Sequence, residues 1–124
     1  MKFFDANTCY GGVKIGSPAV EYGLDALLRR MKEYHIEKAL VLHAMAREHD
    51  APTGNRRLME EIRGHDQLLP VWALLPHYTG EMEDPEKLTD RMVREGVKAA
   101  AMFPSAGMHN FSRHDSRYWE RVLD

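Results

Sequence analysis

Residues able to do chemistry recur at comparable places along this chain. Asn7 and Cys9 follow an aromatic stretch at Phe3 and Phe4, and His43 ends the apolar run of residues 38–43. His77 comes just after the apolar run 68–75, and His109 lies in the polar stretch that follows residues 97–103. Imidazole titrates near neutrality, which makes His43 a candidate general acid or base. Asn7, His77 and His109 are candidate hydrogen-bonding contacts for a substrate, with Phe103 beside them. Cys9 offers a thiol that could ligate a metal. Each has a plainer reading. A histidine at a strand end can be satisfied by its own backbone, Cys9 can serve as a small hydrophobe, and an aromatic such as Phe103 more often belongs to a core. Seven histidines scatter through the chain, and His35, His49, His65 and His114 read as loop or surface residues. No partner base for a nucleophilic Cys9 is visible. Gly11-Gly12 is followed by no Gly-Lys-Ser/Thr and opens no GxGxxG helix, so it is not a phosphate loop.

The elements that must position these residues alternate in type. Residues 2–6 form a short aromatic strand whose Asp5 carboxylate takes up N–H groups of the loop that follows over 7–17. Ser17-Pro18 reads as an N-cap and first helical residue. The recurrence of Leu24, Leu27, Leu28 and Met31 predicts an amphipathic helix ending near Tyr34-His35. Residues 38–43 are apolar almost throughout, as in a strand covered on both faces. A loop with Asp50, Pro52 and Gly54 leads to a helix over 55–63. Residues 68–75 give the third strand, a helix opens at Asp84-Pro85 and stops at Gly96, and residues 97–103 give the fourth strand. Asp115 caps a last helix. Strands alternating with amphipathic helices imply right-handed βαβ units and a parallel sheet. The strand-to-helix connections read as long and polar, the reverse ones as tight, and α/β proteins place their sites at that long-loop end.

At 124 residues the chain is one domain at most, since domains commonly run to roughly 100–200 residues. Its formal charge of −2 comes from interspersed signs, without the basic runs that bind nucleic acid or anionic lipid. One cysteine forms no internal disulfide. No stretch approaches the roughly 20 apolar residues that span a bilayer, and no signal peptide is apparent. A cytoplasmic protein with a small-molecule partner is the expectation.

The stretch Phe3-Phe-Asp-Ala-Asn-Thr-Cys-Tyr-Gly11 resembles the opening of the amidohydrolase superfamily, in its branch of metal-dependent TIM-barrel hydrolases and decarboxylases. There the first strand runs into an Asp-Ala-His-X-His-X-Gly type of motif. Gly96-Val-Lys-Ala-Ala-Ala-Met-Phe-Pro104 resembles the fourth strand of that family, followed by an Asp-X-X-Tyr-Trp helix. The resemblance implies the N-terminal half of a (β/α)₈ barrel over residues 1–124, from the first strand into the fourth helix. It also implies a small carbonyl or carboxylate substrate, hydrolysed or decarboxylated, and a divalent metal, zinc or manganese, in the intact protein. Here the two metal histidines fall on Asn7 and Cys9, a poor pair of donors. The family's remaining ligands would lie beyond residue 124, so this segment by itself is expected to be inactive. The alternative is a metal-free, non-catalytic barrel that binds a ligand or partner, and a self-contained doubly wound sheet is a third reading. A half barrel is further expected to form a homo-oligomer or to pair with its missing C-terminal half.

Overall fold

A computed structural model describes residues 1–12, 22–76 and 79–103. Strands β1 (Phe3–Tyr10), β2 (Ile36–His43), β3 (Leu68–Ala73) and β4 (Ala99–Ala101) alternate with helices α1 (Leu24–Glu33), α2 (Ala44–Glu48), α3 (Ala51–Glu61) and α4 (Pro85–Glu95). All three strand pairings are parallel and the order is β1-β2-β3-β4, giving a curled half-barrel sheet. This is the consecutive order expected of a barrel segment, and it excludes the reversal at the second strand that marks a flavodoxin-like sheet. Among the described residues no helix is long and apolar enough to cross a membrane.

Strand parity sorts the core into two layers, because alternate residues of a strand point to opposite faces. Ala39 and Val41 of β2 with Leu68 and Trp72 of β3 pack under the helices, against Met31, Leu58, Ile62 and Leu88. Leu40, Leu42, Val71, Ala73, Leu75, Ala99, Ala101 and Phe103 gather on the other, concave face. Such segregation is what near-continuous apolar strands produce when both faces are covered.

Several boundaries differ from the sequence reading. β1 runs to Tyr10, past the expected end at residue 6, because Thr8, Cys9 and Tyr10 pair with Val41, Leu42 and His43. A register shift between Asp5 and Thr8 absorbs the extra residue, and there the Asp5 carboxylate accepts the Asn7 N–H at 2.9 Å. α1 begins at Leu24 after Gly23, while the expected cap Ser17-Pro18 lies outside the described residues. The loop expected after β2 is instead a short helix, α2, that starts at once. α3 starts four residues earlier than residue 55, since Asp50 caps it by accepting the Thr53 N–H at 2.8 Å and Pro52 fills its first turn. β3 and β4 are shorter than expected, and α4 runs as the sequence indicates, from its Asp84 cap to a left-handed Gly96. The Asp115 helix lies outside the described residues.

α2 and α3 meet almost backbone to backbone. A Cβ on Gly54 would stand 2.2 Å from the Ala46 nitrogen, so only glycine permits the approach. Asn55, one residue on, reaches into the sheet and bonds the Ala73 backbone in both directions at 2.9 Å. Together these contacts fix α2 over the C-terminal ends of β3 and β4.

Candidate functional site

His43 ends β2 and is almost fully buried, at 1% exposure. It shares the parity of Ala39 and Val41, so its ring points to the helix layer and away from the concave face. The Met45 N–H donates to Nδ1 at 3.1 Å, which caps α2 and leaves the neutral ring its proton on Nε2. Nε2 faces the Glu61 carboxylate at 3.6 Å, and Glu61 in turn accepts from Arg57 Nε at 2.6 Å. Tyr10 closes the group from β1, its ring edge-on to the imidazole at 5.1 Å and 76°. The Tyr10 hydroxyl is buried beside Glu61 and feels its charge, yet makes no well-formed hydrogen bond among the described residues. Gly11, at φ +81°, seals the ring, since a Cβ there would stand 2.4 Å from Nε2.

Burial governs the protonation of this group. It lowers the His43 pKa below its ordinary 6.5, Glu61 opposing and Arg57 reinforcing the shift. Burial and the neighbouring Glu61 push the Tyr10 phenol well up. Burial also pushes Glu61 up, but the Arg57 and Tyr10 contacts and the His43 and Arg57 charges outweigh it and hold the carboxyl below its usual range. At neutral pH the cluster is therefore a neutral imidazole and a neutral phenol around one ion pair. His43 holds the end of β2 to α2 and α3, with its acceptor nitrogen already engaged.

The concave face carries a different arrangement. An enclosed cavity of about 230 Å³ lies at the C-terminal ends of β3 and β4, roofed by α2. Ala73, Leu74, Leu75 and Phe103 form its apolar wall, and Arg47, Glu48, His49 and Glu81 its polar rim. The Arg47 guanidinium lies over the Phe103 ring at 5.7 Å from its centroid. Cys9 is on the same face, paired with Leu42. Its thiol pKa is raised by burial, while the Arg47 charge lowers it and Glu48 raises it, so both rim residues are within electrostatic reach. A larger depression of about 390 Å³ at Phe3, Phe4 and Tyr34 is shallow, open to solvent and at the N-terminal end of the sheet. Parallel α/β sheets bind ligands at the carboxyl ends of their strands, so the smaller, enclosed cavity is the candidate.

Comparison with protein-family models, with curated proteins and with solved structures finds no match. Of the sequence candidates, Phe103 lines the cavity and Cys9 lies near its rim. Asn7 is exposed on the edge strand and His43 is turned to the opposite layer, while His77 and His109 fall outside the described residues. Asn7 and Cys9 are both exposed strand residues rather than loop residues, and no three of His, Cys, Asp and Glu converge as metal ligands among the described residues. An amide and a single thiol with a raised pKa do not fit a divalent metal. The sequence reading does not single out Arg47, Glu48 or Glu81, and it reads His49 as a loop or surface residue, in keeping with its exposure. The available signal is weak: Arg47-Glu48-His49 lies three residues beyond the end of an apolar strand, within a polar stretch.

Proposed function

We propose that the chain is the N-terminal half of an amidohydrolase-like (β/α)₈ barrel whose concave-face cavity binds a small carboxylate or carbonyl compound for hydrolysis or decarboxylation. The observation that carries this reading is the cavity under α2, with an apolar wall and a cationic guanidinium set on an aromatic ring. Its volume of about 230 Å³ is below the roughly 300–1,000 Å³ of drug-sized sites, which limits the ligand to a few carbons. Arg47 would hold the carboxylate or carbonyl oxygen and Phe103 with Leu75 would exclude water from the reacting carbon. The curled parallel sheet and the consecutive strand order support the barrel, and the motifs at Phe3 to Gly11 and Gly96 to Pro104 support the family.

The second reading is a non-catalytic barrel that binds the same kind of ligand. It is favoured by the lack, among the described residues, of a convergent ligand set at Asn7 and Cys9. A panel of short carboxylates, amides and esters separates the two, with calorimetry for binding and release of ammonia, alcohol or carbon dioxide for turnover. Binding lost in Arg47→Ala, with turnover in the full-length protein, supports the enzyme. Binding without turnover supports the second reading. No binding by any panel member overturns both.

A further inference from the structure

The cavity rim carries charges of both signs. Arg47 and His49 stand on α2 and just after it, with Glu48 between them and Glu81 on the segment that follows β3. Arg47 lies over the Phe103 ring, and among the described residues the four exposed side chains make no hydrogen bond or ion pair. Elsewhere a few described acidic and basic side chains pair, as in Lys2–Glu37, Arg57–Glu61 and Arg91–Glu83. At the cavity the apolar wall of Leu74, Leu75 and Phe103 lies beside a rim to which α2 brings Arg47 and Glu48 and the segment after β3 brings Glu81.

Unpaired opposite charges facing one small cavity complement a ligand that carries both charges itself. An anionic ligand alone would meet Glu48 and Glu81 as well as Arg47, and a cationic one would meet Arg47. Resting on the binding role proposed for this cavity, we infer that its ligand is a small zwitterion. The carboxylate would sit on Arg47 and an ammonium or amidine group on Glu81, with a short apolar linker against Leu75 and Phe103. Charge-assisted hydrogen bonds at both ends, roughly twice as strong as neutral ones, would fix its length and orientation.

The test is a titration of the isotope-labelled chain, followed by amide shifts of Ala46, Ala73, Leu75 and Phe103, with γ-aminobutyrate, butyrate and butylamine as probes. γ-Aminobutyrate is expected to bind at least about tenfold more tightly than either singly charged probe, a difference of about 1.4 kcal/mol. Arg47→Ala and Glu81→Gln are each expected to remove that advantage while the circular dichroism spectrum stays unchanged. Butyrate binding as tightly as γ-aminobutyrate, or an advantage that survives Glu81→Gln, overturns the zwitterion and leaves a carboxylate site standing. Butylamine binding as tightly overturns it in favour of a cation site. Shifts at none of the four residues with any probe overturn this inference and the proposed binding role together.

Discussion

The Asn55 side chain and the Ala73 backbone exchange two hydrogen bonds, Nδ2 to the carbonyl and N–H to Oδ1, each 2.9 Å. The pairing of β2 with β3 ends at Val41 and Pro70, so on that side Ala73 has no strand neighbour. A carboxamide carries one donor and one acceptor at the spacing a strand would offer, and Asn55 takes the place of the missing strand. Both partners are buried, with Asn55 at 3% exposure and Ala73 at 2%. Asn55→Ala strands a buried N–H and a buried C=O, at about 1–3 kcal/mol for each. The expected loss is about 2–6 kcal/mol, read as a lower urea midpoint at unchanged slope. A midpoint equal to that of the parent chain would show that water replaces both bonds.

Much of this architecture is legible in the amino-acid order, and the reasons are local. The apolar runs ending at His43 and after Pro70, the Asp84 cap and the Gly96 stop each fix an element without help from tertiary contacts. The alternation within those runs also identifies Leu40, Leu42, Val71, Ala73 and Leu75 as one face, and they do form one cluster. The same alternation puts His43 on the other face, a consequence that the attraction of a titratable strand-end residue hides. α2 was not legible. A five-residue helix has too few turns for a periodic stripe, and besides its local His43 cap it is held by the tertiary contact of Ala46 with Gly54. Without α2 there is no roof, and so no cavity to anticipate at Arg47 and Glu81.

His43 makes stability depend on pH in a predictable direction. Its folded pKa lies below the ordinary 6.5, so on acidification the unfolded chain takes up the proton first. The contribution is therefore whole above about pH 6.5 and is lost as the pH falls through the lowered folded value. Glu61 is also depressed, from 4.5, and adds a second loss at lower pH, with Arg57 remaining charged throughout. Tyr10 acts oppositely, its raised pKa giving stability that is present below pH 10.0 and lost as the pH rises through the folded value. Thermal melts should show a plateau between these limits. His43→Asn keeps an acceptor for the Met45 N–H and removes the imidazole, so the first acid decline should vanish. A decline of unchanged slope in that variant would assign it to another group.

Cys9 offers a local probe of the rim. Its pKa is raised above 9.0 by burial, so at neutral pH the thiolate fraction is small. Reaction with a thiol reagent should be slower than for a free cysteine peptide. Arg47 lowers this pKa and Glu48 raises it. Arg47→Ala should therefore slow the reaction further, and Glu48→Gln should speed it. Equal rates in the parent and both variants would place the Arg47 and Glu48 charges out of reach of the thiol.

The open geometry of the sheet bears on association. Among the described residues the outer edges of β1 and β4 pair with no other strand. Leu40, Leu75 and Phe103, on the concave face, are only partly buried, and Phe3 and Phe4 on the edge strand are 51% and 55% exposed. Unpaired edges recruit other strands, and parallel sheets are normally covered on both faces. Completing the burial of each large side chain is worth up to roughly 1.5–3 kcal/mol, against a net domain stability of about 5–15 kcal/mol. The 124-residue chain is accordingly expected to self-associate, or to pair with a complementary four-strand unit that closes the barrel. Sedimentation velocity over a range of concentrations should show a mass that rises with concentration, and Phe4→Lys, which charges the β1 edge, should shift it toward monomer. A monomer at every concentration, unfolding in one cooperative step, would mean that the concave face is stable in water and that nothing needs to close it.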